Sequence, residues 1–141
     1  MVGAVSVAAC DSPQQAGQRQ QTPDPLNPFY HDTAALLGRY EATVAAQPDL
    51  ATRLGPIRDT HRAHLQALAR EIGPGLDAPT TGAPTVTPAG TGEPASLPTL
   101  LAAERDAVAA ARTACLKAPS YRAAVLGSIA AARASHVAVL S

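Results

Sequence analysis

Four stretches of this chain repeat apolar residues at alternating spacings of four and three, the pattern of helices that bury one face. The first carries Thr33, Leu37, Tyr40 and Val44 and ends near Ala46, before Gln47-Pro48-Asp49. Asn27-Pro28 opens it as an N-cap residue followed by proline at the first helical position, with Asp32-Thr33 as an alternative start. Asp49 is placed to cap the second stretch, which carries Leu50, Leu54, Ile57, His61, His64 or Leu65, Leu68 and Ile72. Gly55-Pro56 is expected to deform its first turns, because proline removes a backbone donor. The third opens at Leu97-Pro98-Thr99 and repeats Leu97, Leu101, Glu104, Val108, Ala111 and Cys115. Ala118-Pro119-Ser120 stops it and starts the fourth, with Val125, Ile129, Ala132, His136 and Leu140. No period-two pattern of a strand competes.

These elements predict an all-α four-helix bundle built from two helical hairpins, residues 27–72 and 97–141. The heptad-like spacing suits near-parallel packing at about 20°. Residues 73–96 are saturated with Pro, Gly and Thr and read as a linker long enough to cross the bundle either way. Residues 11–26, rich in Gln, Pro and Ser and without a period, read as a disordered tether.

Polar residues interrupt the apolar faces. His61 and His64 lie on the second stripe, Glu104 on the third and His136 on the fourth. Burying such groups is costly unless they are paired or bind a ligand. Counting residues from the 118–120 turn, Glu104 and His136 fall about one helical turn apart, and the lean of side chains toward their own helix N-termini closes that gap. In the first hairpin the same count sets His61 opposite Ala34 and His64 opposite His31, which is one position off the stripe marked by Tyr30. A buried Glu104–His136 pair that fixes helix register is one reading. The other is a metal centre of His61, His64, Glu104 and His136, three nitrogens and a carboxylate suited to zinc, copper or iron. Di-iron bundles use Glu-x-x-His pairs, whereas Glu41, Glu71 and Glu104 are followed three residues later by Val44, Pro74 and Ala107. Glu41 is expected to pair with Arg58 or Arg53.

Composition narrows the function classes. With 3% aromatic residues and no tryptophan, the core must come from Ala, Leu, Val and Ile, and stability should be modest. Eleven basic and eleven acidic side chains cancel, and no basic block stands out, so a nucleic-acid footprint is absent. Attachment to a membrane would therefore be hydrophobic or covalent, and no stretch approaches ~18 uninterrupted apolar residues. Residues 1–10 end in Val7-Ala8-Ala9-Cys10, which matches a bacterial lipobox whose Cys10 thiol would take a diacylglycerol, and a polar tether follows; the other reading is a disordered N-terminus with an incidental cysteine. No Lys or Arg precedes Cys10; a start codon further upstream would supply the usual positive region. Cys115 then lacks an intrachain disulfide partner and reads as a small core residue. The serines lack elbow-type glycine flanks, and Gly73-Pro74-Gly75 lacks the Lys-Ser/Thr of a phosphate loop. No complete catalytic signature emerges.

Several segments together resemble actinobacterial proteins with a ferritin-like domain of unknown function. They are Asp24-Pro25-Leu26, Tyr40-Glu41-Ala42-Thr43-Val44-Ala45-Ala46 and His61-Arg62-Ala63-His64 with Leu65 and Leu68. Ala103-Glu104-Arg105 and Leu126-Gly127-Ser128-Ile129-Ala130-Ala131 extend the match to about Leu140. The resemblance implies a ferritin-like bundle with a long crossover, on an exported or lipid-anchored protein, and carries over no catalytic residue. A ferritin-like crossover reverses the second hairpin and would tend to offset the two histidine-bearing levels. The reading that follows is a lipid-anchored bundle on the outer face of the cytoplasmic membrane, a non-enzymatic binding or structural module. Its protein partner is unassigned and homodimers through Ala-rich faces are allowed. The alternative is a metal-binding or redox bundle.

Overall fold

The computed structural model describes residues 23–76 and 92–141; the lipobox with Cys10, most of the tether and linker residues 77–91 lie outside them. Among the described residues the secondary structure is helical: α1 (Asn27–Ala46), α2 (Ala51–Ile72), α3 (Leu97–Lys117) and α4 (Ser120–Leu140), with 3₁₀ turns at Pro48–Leu50 and Gly73–Gly75. The described part of the chain is thus all-α, with four helices.

Two of the expected caps are replaced. Asn27 lies inside α1, and its Nδ2 donates to the Gly75 carbonyl at 2.9 Å, while Asp24 Oδ1 accepts from the Leu26 amide at 2.9 Å. Asp49 does not cap α2. The Pro48–Leu50 turn runs straight into the helix with Leu50 already in helical φ/ψ (−84°, −6°), which leaves no extended residue for a side-chain cap. Only α3 follows the standard scheme: Ser96, extended at −71°, 157°, accepts from the Thr99 amide at 3.3 Å. Gly73 ends α2 at φ +58°, in the left-handed region that glycine enters without a steric penalty.

Polar clamps at the two ends fix the path of the chain. Arg122, at the start of α4, forks onto Asp24 at 2.8 and 2.7 Å and reaches Glu71 near the end of α2 at 3.3 Å. At the opposite end Arg53 donates to the Val139 carbonyl at 2.8 Å, and the Ala95 amide donates to Thr43 Oγ1 at 2.9 Å. The helices therefore run up, down, down and up, and the connection between α2 and α3 leaves from one end of the bundle and arrives at the other. Gly92 marks its arrival. A Cβ there would fall 2.3 Å from the Gly38 carbonyl carbon, so the linker backbone lies directly on α1.

The core divides into two apolar clusters. Leu26, Phe29, Leu68, Ile72, Ala111, Leu126 and Ile129 fill the end where α1 begins. Leu36, Tyr40, Leu54, Ile57, Leu100 and Leu140 fill the other. Full burial of each leucine or isoleucine contributes about 1.5–3 kcal/mol. Between the clusters lies a polar layer. On α4 the inward positions are Leu126 and Arg133 rather than Val125 and Ala132, because a helical side chain covers the surface N-terminal to its own Cα. On α3 Leu100 is fully buried where Leu97 and Leu101 are half-buried, as is Val108. Although α4 contains no long uninterrupted apolar run, it is long and apolar enough overall to cross a membrane, since alanine raises its average while Arg133 and His136 interrupt it. Both interrupting residues are buried inside the bundle.

Candidate metal centre

The polar layer gathers one carboxylate, three imidazoles, a phenol and a guanidinium between the two apolar clusters. Glu104 comes from α3 with no exposed surface, and His61 from α2 is equally buried. Glu104 Oε1 lies 2.5 Å from His61 Nε2, accepts from the Tyr40 hydroxyl at 2.8 Å, and lies 3.4 Å from His136 Nδ1. The last contact is an ion-pair distance without hydrogen-bond geometry. Of the expected Glu104–His136 pair, the two residues do sit at one level, but His61 is the nearer partner. One ligand atom from each of His61, Glu104 and His136 lies within 4.8 Å of the others.

His64 stands beside this triad, half-buried. Its ring centroid is 5.9 Å from that of His61 and 6.4 Å from that of His136. The crossover does not offset the two levels. His136 lies four residues from the end of α4, and its lean toward the start of that helix, opposed to the leans of Glu104 and His61 toward the starts of theirs, brings the three side chains to one level. The His61 and Tyr40 rings lie 5.2 Å apart, because in antiparallel helices their N-terminal leans carry the two side chains toward each other. His31 stays out of the layer and packs edge-on to Tyr30. Glu41 pairs with Arg62 at 2.7 Å, while Arg58 pairs with Asp59 and Arg53 holds α4, so neither expected partner is available to it. Cys115 is half-buried at the α3–α4 seam, with Sγ 3.4 Å from the Ala123 carbonyl.

Arg133 is the largest fully buried side chain among the described residues, and the apolar series through Ala132 does not include it. Its Nη2 donates to Thr33 Oγ1 at 2.7 Å, its Nη1 to the Ala107 carbonyl at 3.1 Å, and its guanidinium lies over the Phe29 ring at 4.9 Å. A signal was present: Ile129, Arg133, His136 and Leu140 follow helical spacing as well as the series through Ala132 does. The Tyr40 partner was also foreseeable in kind, since a buried phenol needs one.

The electrostatics follow from burial and neighbours. Burial pushes the Glu104 carboxyl up, but His136, His61 and Tyr40 together outweigh it and hold it down at about 2. His61 is driven below its ordinary value by burial, with Glu104 opposing. His64 falls to about 4 through burial and the neighbouring positive groups. Burial and the adjacent carboxylate raise the Tyr40 phenol. Near neutral pH the layer therefore holds a carboxylate, a guanidinium and unprotonated His61 and His64. His61 then donates its Nε2 proton to Glu104 and leaves Nδ1 as a free lone pair.

Several buried polar atoms make no hydrogen bond among the described residues: Glu104 Oε2, His61 Nδ1, His64 Nδ1, His136 Nδ1 and Arg133 Nε. Such a concentration of unmet groups in one layer is uncommon in a core that serves packing alone. Two imidazoles and a carboxylate fit a borderline transition metal, as a three-ligand zinc site or a two-histidine, one-carboxylate iron site. A cation taking the place of the proton shared by His61 and Glu104 would satisfy both at once.

No protein-family model matches the chain, and no match is found among the curated proteins or the solved structures.

Proposed function

We propose that this chain is a metal-binding helical bundle in which His61, Glu104 and His136 hold a divalent transition ion, with His64 beside them. The observation that carries the reading is the convergence of these three buried side chains from three helices, with ligand atoms within 4.8 Å and unsatisfied lone pairs around them. Zinc, copper and iron all suit the donor set, and no reaction is assigned. Calorimetric titration of the full chain with each ion, beside thermal unfolding, tests it. Metal at a hundredfold excess over its dissociation constant should stabilise the fold by roughly 2.7 kcal/mol. Absence of both heat and stabilisation would leave the purely structural reading, a buried pair that sets register.

The wider setting belongs to the same proposal. The up-down-down-up path with a bundle-length crossover supports a ferritin-like reading of the four helices. Val7-Ala8-Ala9-Cys10, followed by a polar tether, supports a lipid anchor on the outer face of the cytoplasmic membrane. Membrane partitioning that is lost in Cys10→Ala tests the anchor, and a wild-type protein that stays wholly soluble overturns it.

A further inference from the structure

A cleft of about 380 Å³ opens between α2 and α4, and His136 forms part of its wall together with Pro56, Thr60 and Ser135. Pro56 lies in the second turn of α2, on the wall of this cleft. Pro56 cannot donate to the Thr52 carbonyl one turn earlier, and its ring crowds that turn. Thr60 Oγ1 donates back to the Pro56 carbonyl at 2.8 Å, a bond that favours a bent helix. Arg53 stands at the rim, tied to Val139 across the cleft, and no Asp or Glu lines the space.

Charge balance gives the cleft a purpose. Glu104 and Arg133 already cancel within the layer, so a divalent ion on the triad would bring its full charge into the core without compensation. Three protein ligands also leave a metal position to fill. We infer that the α2–α4 cleft admits a small anion to the metal beside His136, a reading that rests on the metal centre proposed above. Arg53 as the one charged residue on the wall and the lack of acidic lining favour an anion over a cation.

Cobalt(II) serves as a coloured probe ion and azide as the anion. Azide should perturb the visible spectrum of the cobalt-loaded chain in a saturable manner. Thr60→Leu and Ser135→Leu, which narrow the cleft and keep all three triad residues, should leave the cobalt spectrum intact and weaken azide by roughly tenfold or more. Ala110→Leu, in the separate cleft between α1 and α3, should leave azide binding unchanged. A cobalt spectrum indifferent to azide overturns the inference, as does equal azide affinity in all variants or equal weakening in Ala110→Leu. Failure to bind cobalt at all overturns the metal reading itself, and the two failures are told apart by the spectrum before azide is added.

Discussion

Replacing Glu104 by glutamine keeps the shape of the polar layer and removes its one negative charge. In the wild type a single carboxylate oxygen takes the Tyr40 hydroxyl at 2.8 Å and His61 Nε2 at 2.5 Å. Hydrogen bonds to a charged partner contribute about 1.5–3 kcal/mol each against about 0.5–1.5 for neutral ones, so the loss over the two is about 2–3 kcal/mol. Buried Arg133 loses its counter-charge as well, which moves the total toward the ~3–5 kcal/mol typical of breaking a buried ion pair. Urea unfolding of the metal-free chain, followed by helical circular dichroism near neutral pH, measures it. The midpoint should fall with an unchanged denaturant slope. The pH dependence supplies a second signature. The folded Glu104 value, about 2, lies below the ordinary 4.5, so its stabilisation is complete above pH 4.5 and is lost as pH falls toward 2. Glu104→Gln should lack that acid limb. A loss under about 1 kcal/mol, or an acid limb that survives the substitution, would refute the reasoning that one buried carboxylate organises the layer.

Three further outcomes are expected. His64 is displaced from 6.5 to about 4, so the unfolded chain takes its proton first and stability falls as pH drops from 6.5 toward 4; discounted for its partial exposure, the effect is about 1–2 kcal/mol, and His64→Gln should flatten that part of the pH profile of urea midpoints. Leu100→Ala empties a fully buried site in the cluster at the end where α3 begins and should cost about 2–5 kcal/mol in chemical unfolding. Gly92→Ala drives a methyl group to 2.3 Å from the Gly38 backbone and should lower the melting temperature by several degrees, a loss of about 1–3 kcal/mol, whereas Gly55→Ala, with open space around it, should not destabilise through steric contact.

The amino-acid sequence by itself determined the four helices, because helical periodicity and proline breaks are local properties of the chain. It also singled out the unusual residues: His61, His64, Glu104 and His136 are conspicuous because they stand where Leu or Ile would be expected. Their common height was legible within the second hairpin, where a tight turn fixes the count between Glu104 and His136. The rest depended on packing between hairpins. Whether His61 or His136 sits closer to Glu104 is decided by how the two hairpins pack, because α2 and α3 meet only diagonally across the core and a long connection separates them along the chain. Arg133 was hidden because alanine and arginine at adjacent positions fit the same period, and only the facing surfaces of Thr33, Phe29 and Ala107 select which turns inward. The crossover length allowed either threading; the clamps from Arg122 to Asp24 and from Ala95 to Thr43 fix the one observed. Sequence thus set the elements and the polar residues to be accommodated. Tertiary structure alone made them a single buried layer, because charge compensation and ligand geometry depend on distances between helices.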